Sequence, residues 1–459
     1  MVMDAVVERF AKKSPITLMT RLALQRALEP AWLDGLFEQH RQRQYTGELL
    51  FSTTVDLMSV VAVGMRPSVH AAFQAAPNVP VSVQAVYDKI KRTEPGLVRA
   101  LVRGSAERLS PVAQLMRPPP PTLKGYRVRI IDGNHLPASE KRLKPLRAFR
   151  GAALPGQSLV VYDPATEIVA DIVPCEDGHA NERSLMAPIL AHAQAGELWI
   201  GDRNFSTRDI LAGWHAHGCK FIVREHGSSP NPRETGPLRR SGRVETGVVY
   251  EQAVTIESAT GQTIALRRIE LHLDTPTEDG DTVIRLLTNL PKSQFSAGKV
   301  ACVYRRRWKI ETLFQRLESV LHSEMTSLGH PRAALLAFGV AVLAWNVLAV
   351  LQLAVKARHD VQAAGIELSP YYLAAEIRAQ YAGMMTAIAA AAWQAYDALT
   401  TPQLACVLLD IAAQVDPHTL RKHPRGPKKP KKKAFASRSE VSRHVSTARV
   451  LKEGGIYEL

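Results

Sequence analysis

The segment running from Tyr304 to Glu318 carries residue types, at regular spacing, that could work on a phosphate. Read as a helix at about 100° per residue, Tyr304, Arg307, Glu311 and Glu318 fall on one side, at steps of three, four and seven. Ile310, Leu313, Phe314, Leu317 and Leu321 form an apolar stripe beside them. One face packs, and its neighbour presents a phenol, a guanidinium and carboxylates. A guanidinium pairs with phosphate and a carboxylate with a hard cation, so such a face suits a helix that meets both. An amphipathic helix with a solvated basic face is the plainer alternative.

Two aspartates shift the balance between those readings. Asp132 follows the run Tyr126 to Ile131 and opens Asp132-Gly133-Asn134-His135, while Asp202 follows Leu198 to Gly201 and opens Asp202-Arg203-Asn204-Phe205. Both terminate short apolar runs that read as buried strands, where a loop presents a side chain. An unpaired acid there is costly unless a cation satisfies it. Two strand-end aspartates and a helical glutamate are what two-cation phosphoryl transfer needs. The carboxylates would hold Mg²⁺ ions roughly 3.5–4 Å apart, with Mn²⁺ an expected substitute.

On these residues the chain resembles the DDE transposases of bacterial insertion sequences, in the branch marked by a Tyr-x2-Arg-x3-Glu-x6-Lys signature. Tyr304, Arg307 and Glu311 match its first three positions, and Asp132 and Asp202 stand where its two aspartates do. The fourth position departs, because the family's lysine is Glu318 here, and that role is not carried over. Nor can Glu318 easily share one metal pair with Glu311, since seven helical residues separate them by about 10.5 Å. The resemblance covers residues 126 to 345 and implies an RNase H-like catalytic domain. It implies Mg²⁺-dependent cleavage at element ends, attack of the freed 3′-OH on target DNA, and a dimer or larger assembly on double-stranded DNA. It makes Asp132, Asp202 and Glu311 the catalytic and metal-holding residues, with Tyr304 and Arg307 at the phosphate. Two rivals stay open: an RNase H-like nuclease that does not join strands, and a non-catalytic DNA-binding regulator derived from a transposase.

Composition agrees with a nucleic-acid partner. The 58 Lys and Arg residues against 43 Asp and Glu give a formal charge of +15, and that excess favours a polyanion. A length of 459 residues points to roughly two to four domains, and 46% hydrophobic with 22% charged residues is ordinary globular composition. Cys175, Cys219, Cys302 and Cys406 make no C-x2-C pair, which argues against a zinc site or disulfide framework. A reducing bacterial cytoplasm, near the nucleoid, is the expected location. Met1 to Phe10 carries Asp4 and Glu8 and lacks the apolar core of a secretory signal. Ala333 to Val355 is long and apolar enough to span a bilayer, but Asn346 and Gln352 interrupt it, and a core helix covering a sheet is the favoured reading.

The elements that must position the candidate residues follow in order. Residues 1–117 read as a helical DNA-binding domain. Within it Ser82 to Arg92, carrying Gln84, Tyr87, Lys89, Lys91 and Arg92, would suit a major groove, although any basic helical hairpin looks similar. Arg117 to Pro121 is a stiff, proline-rich spacer. Residues 122–225 form the first part of the catalytic domain. They read as strands Tyr126 to Asp132, Leu159 to Asp163 and Ile168 to Val173, helix Asn181 to Ala195, strand Leu198 to Gly201, helix Ser206 to His217 and strand Lys220 to Arg224. That is an α/β pattern, a mixed sheet flanked by helices, and it is the RNase H-like order, in which the first and fourth strands adjoin.

Lys141, Arg142, Lys144, Arg147 and Arg150 lie between the first two strands and would follow a phosphate backbone, unless they form a solvated basic loop. His135 is expected to contact DNA or stabilise the turn, an extra ligand being the alternative, and Arg203 to pair with a phosphate or a neighbouring acid; neither is assigned to the metal. Residues 226–299 read as a β-rich insertion, with runs Val248 to Ile256, Thr263 to Leu273 and Thr282 to Thr288. Residues 300–356 complete the catalytic domain, and 357–420 are helical, with Tyr371 to Met384 and Ala387 to Leu399. Residues 421–459 form a basic tail. Arg421 to Lys433 holds eight Lys and Arg residues, including Lys428 and Lys429, and without it the charge falls from +15 to +7. It should be disordered in isolation and bind backbone phosphate, a solubility tail being the alternative.

Overall fold

The computed structural model describes residues 5–77, 79–116, 118–120, 123–277, 280–361, 364–423 and 444–455. Lys428 and Lys429 lie outside the described residues.

The chain is organised around one mixed sheet. Its first strands are β1 (Arg127–His135), β2 (Ala153–Leu154), β3 (Gln157–Asp163) and β4 (Ile168–Cys175). They are followed by β5 (Glu197–Gly201), β6 (Lys220–Arg224), β7 (Arg233–Glu234) and β8 (Arg239–Val244). Then come β9 (Gly247–Glu257), β10 (Thr263–Leu273), β11 (Val283–Thr288) and, near the C-terminus, β12 (Val445–Ser446). The large sheet has the order β4-β3-β1-β5-β6-β11-β10-β9-β7, with β8 on β9, and β2 pairs separately with β12. β1 runs antiparallel to β3 and parallel to β5, and β5 runs parallel to β6. The stretch from β4 to β6 thus has the RNase H-like order. The strands of the insertion add to the same sheet, because β11 pairs antiparallel with β6.

Both faces of the central strands are covered, which is why β3 and β5 are buried at every position. Alternate residues serve two cores. Ile130, Val160, Ile200 and Ile222 face one, and Ile131, Val161, Trp199 and Phe221 face the other. The first core is shared with helices Pro95–Leu115, Trp308–Leu321 and Pro331–His359. Pro331–His359 is apolar on every side and buried from Ala333 to Val355, so protein encloses the segment that matched a membrane span by length. Asn346 has a specific partner there. β4 is the end strand of the sheet, and Asn346 bonds both the N–H (2.8 Å) and the C=O (2.9 Å) of its Val169.

Several expectations need correction. Asp132 is not the end of its strand, since β1 continues to His135, held by the antiparallel pairing of Asp132 with Val160 through His135 with Gln157. Asn181 to Ala195 is not one helix. It divides into a 3-10 turn, Glu182–Leu185, and a single helical turn, Ala187–Leu190, with Pro188 at the start of the second. Ala387 to Leu399 contains only the short helix Ala390–Gln394, and the longer helix lies beyond it at Thr401–Ala412, started by a Thr400/Gln403 capping box. Residues 424–433 of the basic run lie outside the described residues, and the part of the tail beyond it carries two regular elements. β12 pairs in parallel with β2, and helix Thr447–Glu453 buries Ala448 and Leu451 beside the 3-10 turn Lys144–Ala148.

Candidate active site

Sheet register brings the two aspartates together. Ile130 of β1 pairs with Ile200 of the parallel strand β5, so Asp132 and Asp202 each stand two residues beyond that pair, level with one another. The period of two also gives them the parity of Ile130 and Ile200, whose face carries helix Trp308–Leu321. Asp202 leaves its strand and accepts a hydrogen bond from the backbone N–H of Asn204 at 2.7 Å, starting the turn Arg203–Phe205. Asp132 accepts from the N–H of Gly133 at 3.0 Å.

The helical residues arrive by a broken path. Helix Ala297–Tyr304 ends at the tyrosine, Arg305–Arg307 forms a 3-10 turn, and a second helix, Trp308–Leu321, carries Glu311. The single helix expected from Tyr304 to Glu318 is thus two, although Ile310, Leu313, Leu317 and Leu321 are buried as the stripe required. Three consecutive arginines cannot all point at one core, and the tighter turn sends Arg307 inward while Arg305 reaches Glu245 at 3.0 Å. Arg307 then bridges the site. Its Nη1 donates to Asp132 Oδ2 at 2.8 Å and its Nη2 to Glu311 Oε1 at 2.6 Å.

Burial drives the Asp132 carboxyl up to about 7, and the nearby charges of Asp202 and Glu182 add to the rise against the opposing pull of Arg307. Burial likewise pushes the Tyr304 phenol up to about 12, with Arg307 bonded to it and Asp202 close enough to contribute. Among the described residues, no three His, Cys, Asp or Glu side chains form a ready metal-holding group. The Arg307 guanidinium lies between Asp132 and Glu311 and pairs with both.

The remaining candidates lie at varied distances from this centre. His135 is exposed at the end of β1 and Arg203 is exposed beside Asp202. In the basic loop, Arg142 pairs with Glu140 at 2.6 Å, Lys141 donates to the Phe149 carbonyl and Arg147 to that of Arg142, while Lys144 and Arg150 are exposed. Glu318 is exposed and lies by Glu324, whose carboxyl is raised by burial and by Glu318. Lys89 of the Ser82 helix sits 4.0 Å from the centre of the Phe37 ring and bonds the carbonyls of Tyr45 and Thr46, and Lys91 pairs with Asp88 at 2.6 Å. These two lysines are engaged within the protein.

Sequence reasoning passed over two residues here. Glu182 reaches back to the site from the loop after β4, and the only trace in the sequence is an acid in a run without periodicity. Trp308 is 63% exposed beside Arg307, which is unusual for a large aromatic and was visible only as an apolar residue off the helical stripe.

Residues 123–347 match the family described as Transposase DDE domain. The transposase for insertion sequence element IS421 of Escherichia coli is 24% identical over 244 residues, covering 46% of this chain and 62% of that protein. InsL for insertion sequence element IS186A of Escherichia coli (strain K12) gives the same figures, 24% over 244 residues, 46% and 62%. The chain therefore matches 62% of the length of these curated relatives, less than two thirds. Together the family match and these relatives support a DDE-transposase-family domain at residues 123–347, distantly similar to InsL-type transposases and containing Asp132, Asp202, Arg307 and Glu311.

Proposed function

We propose that this protein cuts DNA at the ends of a mobile element and joins the freed 3′-OH to target DNA, with Asp132, Asp202 and Glu311 as the acids of a two-Mg²⁺ centre. One observation carries the reading. Two aspartates stand level on adjoining parallel strands, and Arg307 ties one of them to Glu311, all inside the family-matched segment. At family level the activity is polynucleotidyl-transfer or nuclease-like chemistry. The donors are carboxylate oxygens only, and Asp132 is desolvated among like charges, which fits a hard divalent cation. When bound, the ions would stabilise charge on the transferring phosphoryl group and activate the attacking water or hydroxyl.

The chain's own side chains do the rest. Arg307 pairs with both Asp132 and Glu311, and its planar fork can exchange a carboxylate for a phosphate oxygen when DNA arrives. Tyr304 stays a neutral phenol and is hydrogen-bonded to Arg307. The Tyr304, Arg307 and Glu311 spacing supports the signature branch named above, with Glu318 outside the centre. The exposed ring of Trp308 offers a base a stacking surface. His135, Arg203, the Lys141 to Arg150 loop and the Lys428 and Lys429 region would track the backbone, with residues 1–117 reading the element end and two copies pairing two ends.

The test uses an element-end duplex with Mg²⁺ and a target plasmid. Asp132→Ala, Asp202→Ala and Glu311→Ala should each lose at least ~100-fold in cleavage and in strand transfer while still binding DNA. Cleavage by all three at the wild-type rate would refute the reading. Cleavage without joining by the wild type would reduce it to a nuclease.

A further inference from the structure

We propose that Tyr45 contacts DNA, its ring packing against a base of the bound duplex while Arg43 and Arg92 take phosphates beside it. The inference rests on the DNA-processing reading above and deepens it by naming a contact within residues 1–117.

Tyr45 stands on the loop 41–50, between helices Pro30–His40 and Phe51–Ala62. At 85% exposure it is the most exposed large apolar or aromatic side chain among the described residues. A single exposed ring is ordinary on a protein surface, and what sets this one apart is the bracing of its backbone. Glu94, itself buried, accepts from the backbone N–H of Arg43 at 3.2 Å and from Gln44 Nε2 at 2.8 Å. The same Gln44 amide donates to the Arg92 carbonyl at 2.7 Å, which fixes the residue before the tyrosine to the end of helix Val83–Arg92. Lys89 donates to the carbonyls of Tyr45 and Thr46, each at 3.2 Å, with its ammonium over the Phe37 ring. Arg41 closes the loop on itself through the Gln44 carbonyl at 2.9 Å.

Burying Gln44 and Glu94 carries a desolvation cost, and the bonds that offset it all hold the loop backbone rather than the Tyr45 ring. A ring held out on a rigid backbone loses little freedom when a partner covers it. The surroundings select the partner. Arg43 and Arg92 are exposed, neither is in a salt bridge among the described residues, and Glu48 is the single acid within residues 41–50. Free guanidinium groups beside a flat ring suit a polyanion that also offers flat faces, which is nucleic acid. Lys89 is thereby committed to the loop rather than to a groove.

The test is fluorescence anisotropy of the full-length protein with a labelled element-end duplex across a salt series, alongside thermal melting. We expect Tyr45→Ala to weaken binding by about tenfold or more. Its melting temperature should match the wild type, because the ring is exposed, and so should its slope of log affinity against log salt, because the phenol displaces no counterion. Tyr45→Phe keeps the ring and should bind as the wild type does. Arg43→Ala and Arg92→Ala should each reduce the salt slope by about one. If Tyr45→Ala binds as the wild type does, while the wild type cleaves the duplex in a manner that needs Asp132, the inference is overturned and the proposed function stands. If the wild type binds no duplex even at low salt, both are overturned.

Discussion

Arg307 occupies the position on which charge balance at the site depends. Its guanidinium touches two acids from distant parts of the chain and is itself largely enclosed. Breaking a fully buried pair of this kind costs about 3–5 kcal/mol, and the partial exposure of Glu311 lowers the expected cost of Arg307→Ala to about 1–3 kcal/mol. Denaturant unfolding in EDTA measures it, and an unchanged midpoint would mean that the bridge contributes nothing. Asp132 gives a pH dependence. Its folded value, about 7, lies above the ordinary 3.8, so the folded protein holds a proton that the unfolded chain has released. Stability from this group is therefore fully present below about pH 4 and is lost as the pH rises towards 7. Asp132→Asn mimics the protonated form and should remove that slope, gaining up to roughly 4 kcal/mol over the wild type at pH 8 without metal. Parallel stability curves for the two proteins between pH 4 and 8 would contradict the assignment.

At the scale of elements, short apolar runs identified most strands because those strands are buried on both faces. Asp202 was legible for the same reason: its strand stops where the apolar run stops. The continuation of β1 past Asp132 was not, because Gly133, Asn134 and His135 have poor strand propensity and are held extended by pairing with β3. Glu182 sits in a 3-10 turn whose place is set by partners on another loop, which no local pattern encodes. The last described segment was hidden by the basic run before it, although Val445, Ala448 and Leu451 are apolar at helix-like steps. That segment acts on the basic loop. Arg449 pairs with Asp177 at 2.8 Å, and β12 covers β2, so removing residues 444–459 should speed amide exchange at Ala153, Leu154 and the Lys144–Ala148 turn. Equal exchange in the truncated and complete proteins would show that the loop holds itself. Asn346→Leu tests the other flank: it leaves the N–H and C=O of Val169 unpaired, and should cost about 2–5 kcal/mol in a denaturant titration.

For the molecule as a whole, the feature with the widest reach is the unbroken sheet. β6 is bonded on one side to β5, which leads into Asp202, and on the other to β11, the last strand of the insertion. The insertion is thus no appendage on a flexible stalk. Excising it would strip β6 of a neighbour and leave a raw edge in the middle of the protein, an invitation to aggregate. A load applied to the outer strands would reach the strands that lead into Asp132 and Asp202 through one continuous ladder of backbone hydrogen bonds.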